Sequence, residues 1–175
     1  MLTKKTTLLL TILALAFTSV IKAEAAAPVP KKIPAGVIEA SNKFGLWQDI
    51  YNSNQKVVVY SYMRGSTCPY QSQEFHNKVS AAASSSAGKY KVRPTGPDLM
   101  KREVDPITQK IQAKSKNVKT QEEMQEFNKE VQAFNKLLKF TNQCTLKACI
   151  INPSKGEYIL MKRNSEEAVQ TIKSY

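Results

Sequence analysis

The chain has 175 residues, with 26 Lys+Arg against 14 Asp+Glu and one His, a formal net charge of +12. With 42% hydrophobic and 8% aromatic residues it is too apolar for a disordered polymer and long enough to bury a core as a single domain. Three cysteines are too few for a disulfide-built scaffold, their odd number leaves at least one thiol unpaired in a monomer, and the absence of a repeat of 20–50 residues excludes a solenoid.

In chain order, Lys4 and Lys5 precede the apolar run Leu8–Phe17, and small residues follow at Ala23-Glu24-Ala25. A basic start, a short apolar core and small residues at alternate positions make an export signal, predicted over residues 1–25 with cleavage after Ala23 or Ala25. The run is about half of the roughly 20 residues that a bilayer span needs. No second run of that length follows, so no membrane span is expected after cleavage. Cleavage removes three bases and one acid, so the positive charge belongs to the remaining chain. Residues 78–119 alone hold ten Lys/Arg and three acids. Such a surplus suits either an anionic partner or a solvated helical surface, and no nucleic-acid recognition motif accompanies it.

Residues 26–36, with Pro28, Pro30 and Pro34, read as an extended Pro/Lys-rich tether, and residues 37–175 as the folded domain. Val37–Tyr51 has helical periodicity interrupted at Gly45, with Trp47 as a core aromatic. Lys56–Met63 is the clearest strand, its continuous apolar start typical of a buried central position. Arg64-Gly-Ser-Thr-Cys68-Pro-Tyr-Gln71 follows, then a helix to about Ala83 and a small-residue loop ending at Gly88. Tyr90–Pro94 fits a second short strand. Pro97-Asp98 and Asp105-Pro106 mark two helix starts.

Thr120 and Glu123 form a capping box. Met124, Phe127, Val131, Phe134 and Leu138 then recur at spacings of 3 and 4, the core-facing stripe of a long helix. Ala148–Ile151, the turn Asn152–Gly156 and Glu157–Met161 read as a β-hairpin, and Asn164 with Glu167 caps a last helix carrying Ala168, Val169 and Ile172. The order is helix, strand, helix, strand, helices, hairpin, helix, which predicts a mixed α/β domain around one sheet.

Chemistry concentrates at Cys68. The strand delivers it to a predicted helix start, with Ser66 or Thr67 as cap and Pro69 in the first turn. There the free amides and helix dipole would stabilise a thiolate, and Arg64 would add to the field. A small buried, inert cysteine is the alternative. His76 lies eight residues on, about 12 Å along a helix, too far to serve as its base and expected at the surface or boundary. No zinc-ligand spacing, phosphate loop, dinucleotide fingerprint or Gly-x-Ser-x-Gly is present, so no metal or cofactor is expected.

The segment Val57–Tyr70, ending Arg-Gly-Ser-Thr-Cys-Pro-Tyr, resembles the strand-to-active-site segment of the thioredoxin superfamily. Cys-Pro-Tyr is similar to glutaredoxins, and the aromatic strand with Arg and Ser-Thr-Cys-Pro-Tyr resembles the thioredoxin-like proteins of F-type conjugative pilus assembly. The hairpin and helix from Cys149 to Tyr175 also look like the end of that fold, so the resemblance covers roughly 37–96 and 144–175. It implies an α/β, thioredoxin-like fold with a helical insertion, about 97–143, between the second strand and the C-terminal hairpin. It also implies a periplasmic binding or assembly component of an envelope secretion or conjugation system, with a protein partner and no nucleic acid.

Two positions depart from the family pattern. Gln71 occupies the place of the second active-site cysteine, and Leu146-Lys147 the place of the cis-proline. A mixed disulfide at Cys68 would then need another resolving thiol. In that fold the loop carrying Cys144 approaches the active site, which implies a Cys68–Cys144 pair, structural or redox-active. As an alternative activity, the chain would be a thiol-disulfide oxidoreductase with Cys68 as nucleophile and Cys144 as resolving thiol. A Cys144–Cys149 pair competes. An extended segment of five residues spans about 16–17 Å, beyond disulfide reach, so that pair requires a turn at Thr145–Lys147. Unpaired, Cys149 is a small core hydrophobe.

Overall fold

The computed structural model describes residues 28–162 and 164–175; the predicted export signal at 1–25 lies outside the described residues. Among these, no helix is long and apolar enough to cross a membrane. Five strands form one sheet: β1 (Lys31–Lys32), β2 (Lys56–Ser61), β3 (Tyr90–Thr95), β4 (Cys149–Asn152) and β5 (Glu157–Leu160). Six helices accompany them: α1 (Val37–Phe44), α2 (Gln48–Tyr51), α3 (Gln73–Ser84), α4 (Pro97–Ser115), α5 (Gln121–Lys147) and α6 (Ser165–Ser174). The domain is thus mixed α/β, as the element pattern predicted.

The strand order is β1-β5-β4-β2-β3. β2 and β3 run parallel, while β4 is antiparallel to both β2 and β5, and β5 to β1. Val57, Val58, Val59 and Tyr60 have no exposed surface, because β2 lies inside the sheet and both its faces are covered. Alternation along β2 separates two apolar layers. Val57 and Val59 join Leu137, Phe140, Cys144 and Cys149 under α1 and α5. Val58 and Tyr60 join Phe75, Val79, Ile150 and Ile172 under α3 and α6.

Local chemistry explains most boundaries. The capping box forms as expected: Glu123 N–H donates to Thr120 Oγ1 at 3.1 Å and Thr120 N–H to Glu123 Oε2 at 3.0 Å. Asn164 Oδ1 accepts from Glu167 N–H at 2.7 Å at the start of α6. Gly45, at φ 76°, closes α1 in the left-handed region that a side chain disfavours. The hairpin β4–β5 is present, joined by a 3₁₀ turn at Pro153–Lys155.

Three expectations are corrected. The described part of the tether docks: Lys31 and Lys32 pair with Tyr158 and Glu157, and Ile33 is buried. The Ile33 side chain and the free main-chain groups of Lys31 and Lys32 complete the edge that β5 would otherwise expose. Asp105-Pro106 starts no helix, because α4 runs unbroken from Pro97 to Ser115 with Pro106 inside it. Pro106 lies on the solvent face, where the carbonyl it leaves unpaired can be hydrated. Finally, α3 begins at Gln73 rather than at Cys68.

Candidate functional site

β2 ends at Ser61, and Tyr62 N–H still reaches the Thr95 carbonyl at 2.7 Å. The chain then makes a closed loop. Met63 N–H donates to the Gln71 carbonyl at 3.0 Å, Ser66 N–H to the Met63 carbonyl at 3.0 Å and Gln71 N–H to the Cys68 carbonyl at 2.9 Å. Ser66 Oγ accepts from Cys68 N–H at 3.1 Å. This local turn is the reason no helix begins at Cys68: a serine side chain offers the backbone an alternative to the helical ladder. Cys68 is a free, partly exposed thiol on the loop.

The cap of α3 is Ser72, whose Oγ accepts from Phe75 N–H at 3.2 Å and donates to the Pro69 carbonyl at 3.0 Å. The first-turn amides expected beside the thiol therefore belong to residues that follow Ser72, and the expectation of a helix-start thiolate is corrected. Arg64 is exposed on the same loop. Gln71 acts through its main chain, accepting and donating the bonds that close the loop.

Cys144 is not brought to Cys68. Its sulfur pairs with that of Cys149, with the two Cα atoms 5.0 Å apart, and both residues have no exposed surface. The extended-chain argument against this pair fails because residues 144–147 remain helical. A helix advances only about 1.5 Å per residue, and Ala148 then reverses the chain at φ 56° and ψ 134°. The faces also separate the thiols. Cys144 and Cys149 sit in the layer under α1 and α5, whereas the Cys68 loop leads into α3, with Tyr70 packed against the opposite layer. No cis peptide occurs among the described residues, and Ala148 is the residue that precedes β4.

One cluster beside the loop escaped the sequence reading. His76 Nδ1 lies 2.8 Å from Tyr60 Oη, and its ring stacks on Tyr62 at 4.6 Å. Tyr60 Oη also faces Ser80 Oγ at 3.4 Å, and Tyr62 Oη donates to Gln73 Oε1. Burial, opposed in part by the Ser80 hydrogen bond, pushes the Tyr60 phenol above its usual range. The signal was available: Tyr60 and Tyr62 share a strand face at period two, and His76 and Ser80 share a helix face at a spacing of four. Half-burial puts His76 at the boundary, as expected, but it holds the start of α3 against β2.

The arrangement offers one accessible thiol on a hydrogen-bonded loop, with no metal-ligand cluster among the described residues. No known protein family, curated protein or solved structure matches this chain.

Proposed function

We propose that this chain is an exported, thioredoxin-like protein of the cell envelope in which Cys68 marks a protein-binding surface rather than a complete redox centre. The observation that carries the reading is the state of the three cysteines. Cys68 is free and accessible, Gln71 stands where a second thiol would, and Cys144 and Cys149 are engaged with each other. Disulfide exchange requires a resolving thiol to release the mixed disulfide, and none is placed at the loop. The parallel β2–β3 pair followed by the antiparallel β4 and β5, with α4 and α5 between them, supports the thioredoxin-like part of the proposal. The Arg and Ser-Thr-Cys-Pro-Tyr resemblance supports a role in assembling a secretion or conjugation apparatus, with a protein partner in the periplasm.

Turnover and thiol mapping test this. In the oxidised native protein, alkylation followed by mass spectrometry should label Cys68 alone, with Cys144 and Cys149 labelled only after reduction in denaturant. Reduction of a disulfide substrate should proceed no faster with the protein than with its Cys68→Ser variant. A rate that exceeds the background and vanishes in Cys68→Ser would overturn the binding role and restore the oxidoreductase alternative.

A further inference from the structure

Ile107 of α4 and Phe134 of α5 are buried, and residues 108–133 between them contain no buried side chain. At 1.5 Å per residue, α5 begins about 20 Å before Phe134. The two helices therefore form an arm whose tip buries none of its side chains. The arm is braced at its base, where the Glu130 carboxylate binds Lys114 of α4 and lies 3.7 Å from Lys43 of α1. Helices of this length draw most of their stability from a covered apolar face. Here Met124 is 46% exposed, and Val118 and Phe127 are only half-buried.

The tip carries both a groove and a knob. Val118 and Phe127 line a groove of about 610 Å³, with Lys114 of α4 on one side and Glu122 and Glu126 of α5 on the other. Met124 lies three residues before Phe127, a neighbouring position on the same helix face, so it stands beside the groove. The two helices also differ in sign. Residues 106–119 hold Lys110, Lys114, Lys116 and Lys119 and no acid, whereas residues 121–130 hold Glu122, Glu123, Glu126 and Glu130 against Lys129. Glu130 is engaged with Lys114, Glu123 with the capping box and Glu126 with Lys129. Among the described residues, the side chains of Lys116, Lys119 and Glu122 make no hydrogen bond or ion pair.

We propose that the arm tip joins two copies of this chain about a two-fold axis. Met124 of each copy enters the Val118–Phe127 groove of the other, and the Glu122 and Glu126 side of one tip faces the Lys116 and Lys119 side of its partner. A surface that holds a knob, a groove and both signs of charge satisfies itself on two-fold rotation, since every contact is then made twice. A uniformly acidic or basic partner would instead meet like charge on one of the two helices. Charge complementarity thus selects a second copy, and methionine is flexible and polarisable enough to fill such a groove. Two short tips bury less than a standard interface and the net positive charge of the chain opposes approach, so the pairing is weak. It does not involve the Cys68 loop and is independent of the role proposed for it.

Sedimentation equilibrium of the exported protein tests this, at about 0.15 M salt, where exposed charges more than roughly 8 Å apart are screened. The mass should double as concentration rises, with a dissociation constant on the order of 10–100 μM. At about 1 μM the protein is then monomeric, and unfolding measured there reads Met124 as an unpacked side chain. Met124→Lys puts an unpaired charge into the groove and should weaken association by about tenfold or more. Two double variants test the charge pattern. Glu122→Lys, Glu126→Lys leaves basic sides to face each other, and Lys116→Glu, Lys119→Glu leaves acidic ones. Each should be monomeric alone, and an equal mixture of the two should form a heterodimer, because unlike sides then meet. All substituted positions are exposed, and circular dichroism checks that each variant is folded. A wild-type protein that stays monomeric up to about 0.5 mM would overturn the pairing. So would a dimer unmoved by Met124→Lys, double variants that dimerise alone as well as the wild type, or a mixture of them that stays monomeric.

Discussion

Ala148 sits in a strained backbone conformation, since its φ of 56° and ψ of 134° fall where an L side chain is disfavoured. The strain persists because Cys144 and Cys149 are joined on either side of it and the Ala148 carbonyl accepts from Met161 N–H at 2.9 Å. Replacing it by glycine removes a strain of about 1–3 kcal/mol and a buried methyl worth about 0.8 kcal/mol. Ala148→Gly should therefore stabilise the protein by about 1 kcal/mol, read as a higher midpoint in urea denaturation at unchanged slope. An equal or lower midpoint would show that the junction is relaxed. A second residue-scale prediction concerns Tyr51, whose hydroxyl is buried without a hydrogen-bond partner. Tyr51→Phe should stabilise by about 1 kcal/mol, because an unsatisfied buried hydroxyl costs that order of free energy; a lower urea midpoint would instead reveal a hidden partner. No spacing rule predicts either feature, since both depend on what packs around the residue.

The long helix shows how far an apolar stripe can be read. Its periodicity correctly predicts a helix after the capping box, yet burial along it is unequal. Phe134 is 6% exposed, whereas Met124 is 46% exposed on the same stripe. The difference is one of reach: α5 spans 27 residues, and the sheet and α1 cover only its C-terminal half. Phe134 also meets Phe44 of α1 edge-on at 5.2 Å. Phe134→Ala should cost about 3–5 kcal/mol, and Met124→Ala no more than about 0.5 kcal/mol. Thermal or urea unfolding of the two variants separates them, and similar losses would mean that the whole stripe is covered in solution. Helix starts were legible where a side chain caps them, at Thr120 and Asn164. The start of α3 was misplaced because two serines compete: Ser66 closes a turn around Cys68 while Ser72 caps the helix.

For the molecule as a whole, three phenols give stability a common dependence on pH. Tyr51, Tyr60 and Tyr90 all titrate above their ordinary 10.0, chiefly because burial disfavours the phenolate. Unfolding releases them to lose protons near 10.0, while the folded chain still holds them, so the unfolded state binds fewer protons there. Their contribution is complete below pH 10 and is lost as pH rises from there through the folded values. The unfolding free energy should fall steeply above pH 10, with tyrosinate absorbance appearing in step with loss of circular dichroism. Tyrosinate absorbance that grows while the fold stays intact would sink this linkage.

Alternation of residues along β2, the capping boxes and the C-terminal hairpin are local properties, and the sequence by itself determined them, together with the mixed α/β class that follows from their order. Only the tertiary structure decided which cysteines meet. Cys68, Cys144 and Cys149 are equivalent as letters, but a sheet stands between the layer that holds two of them and the helix that follows the third.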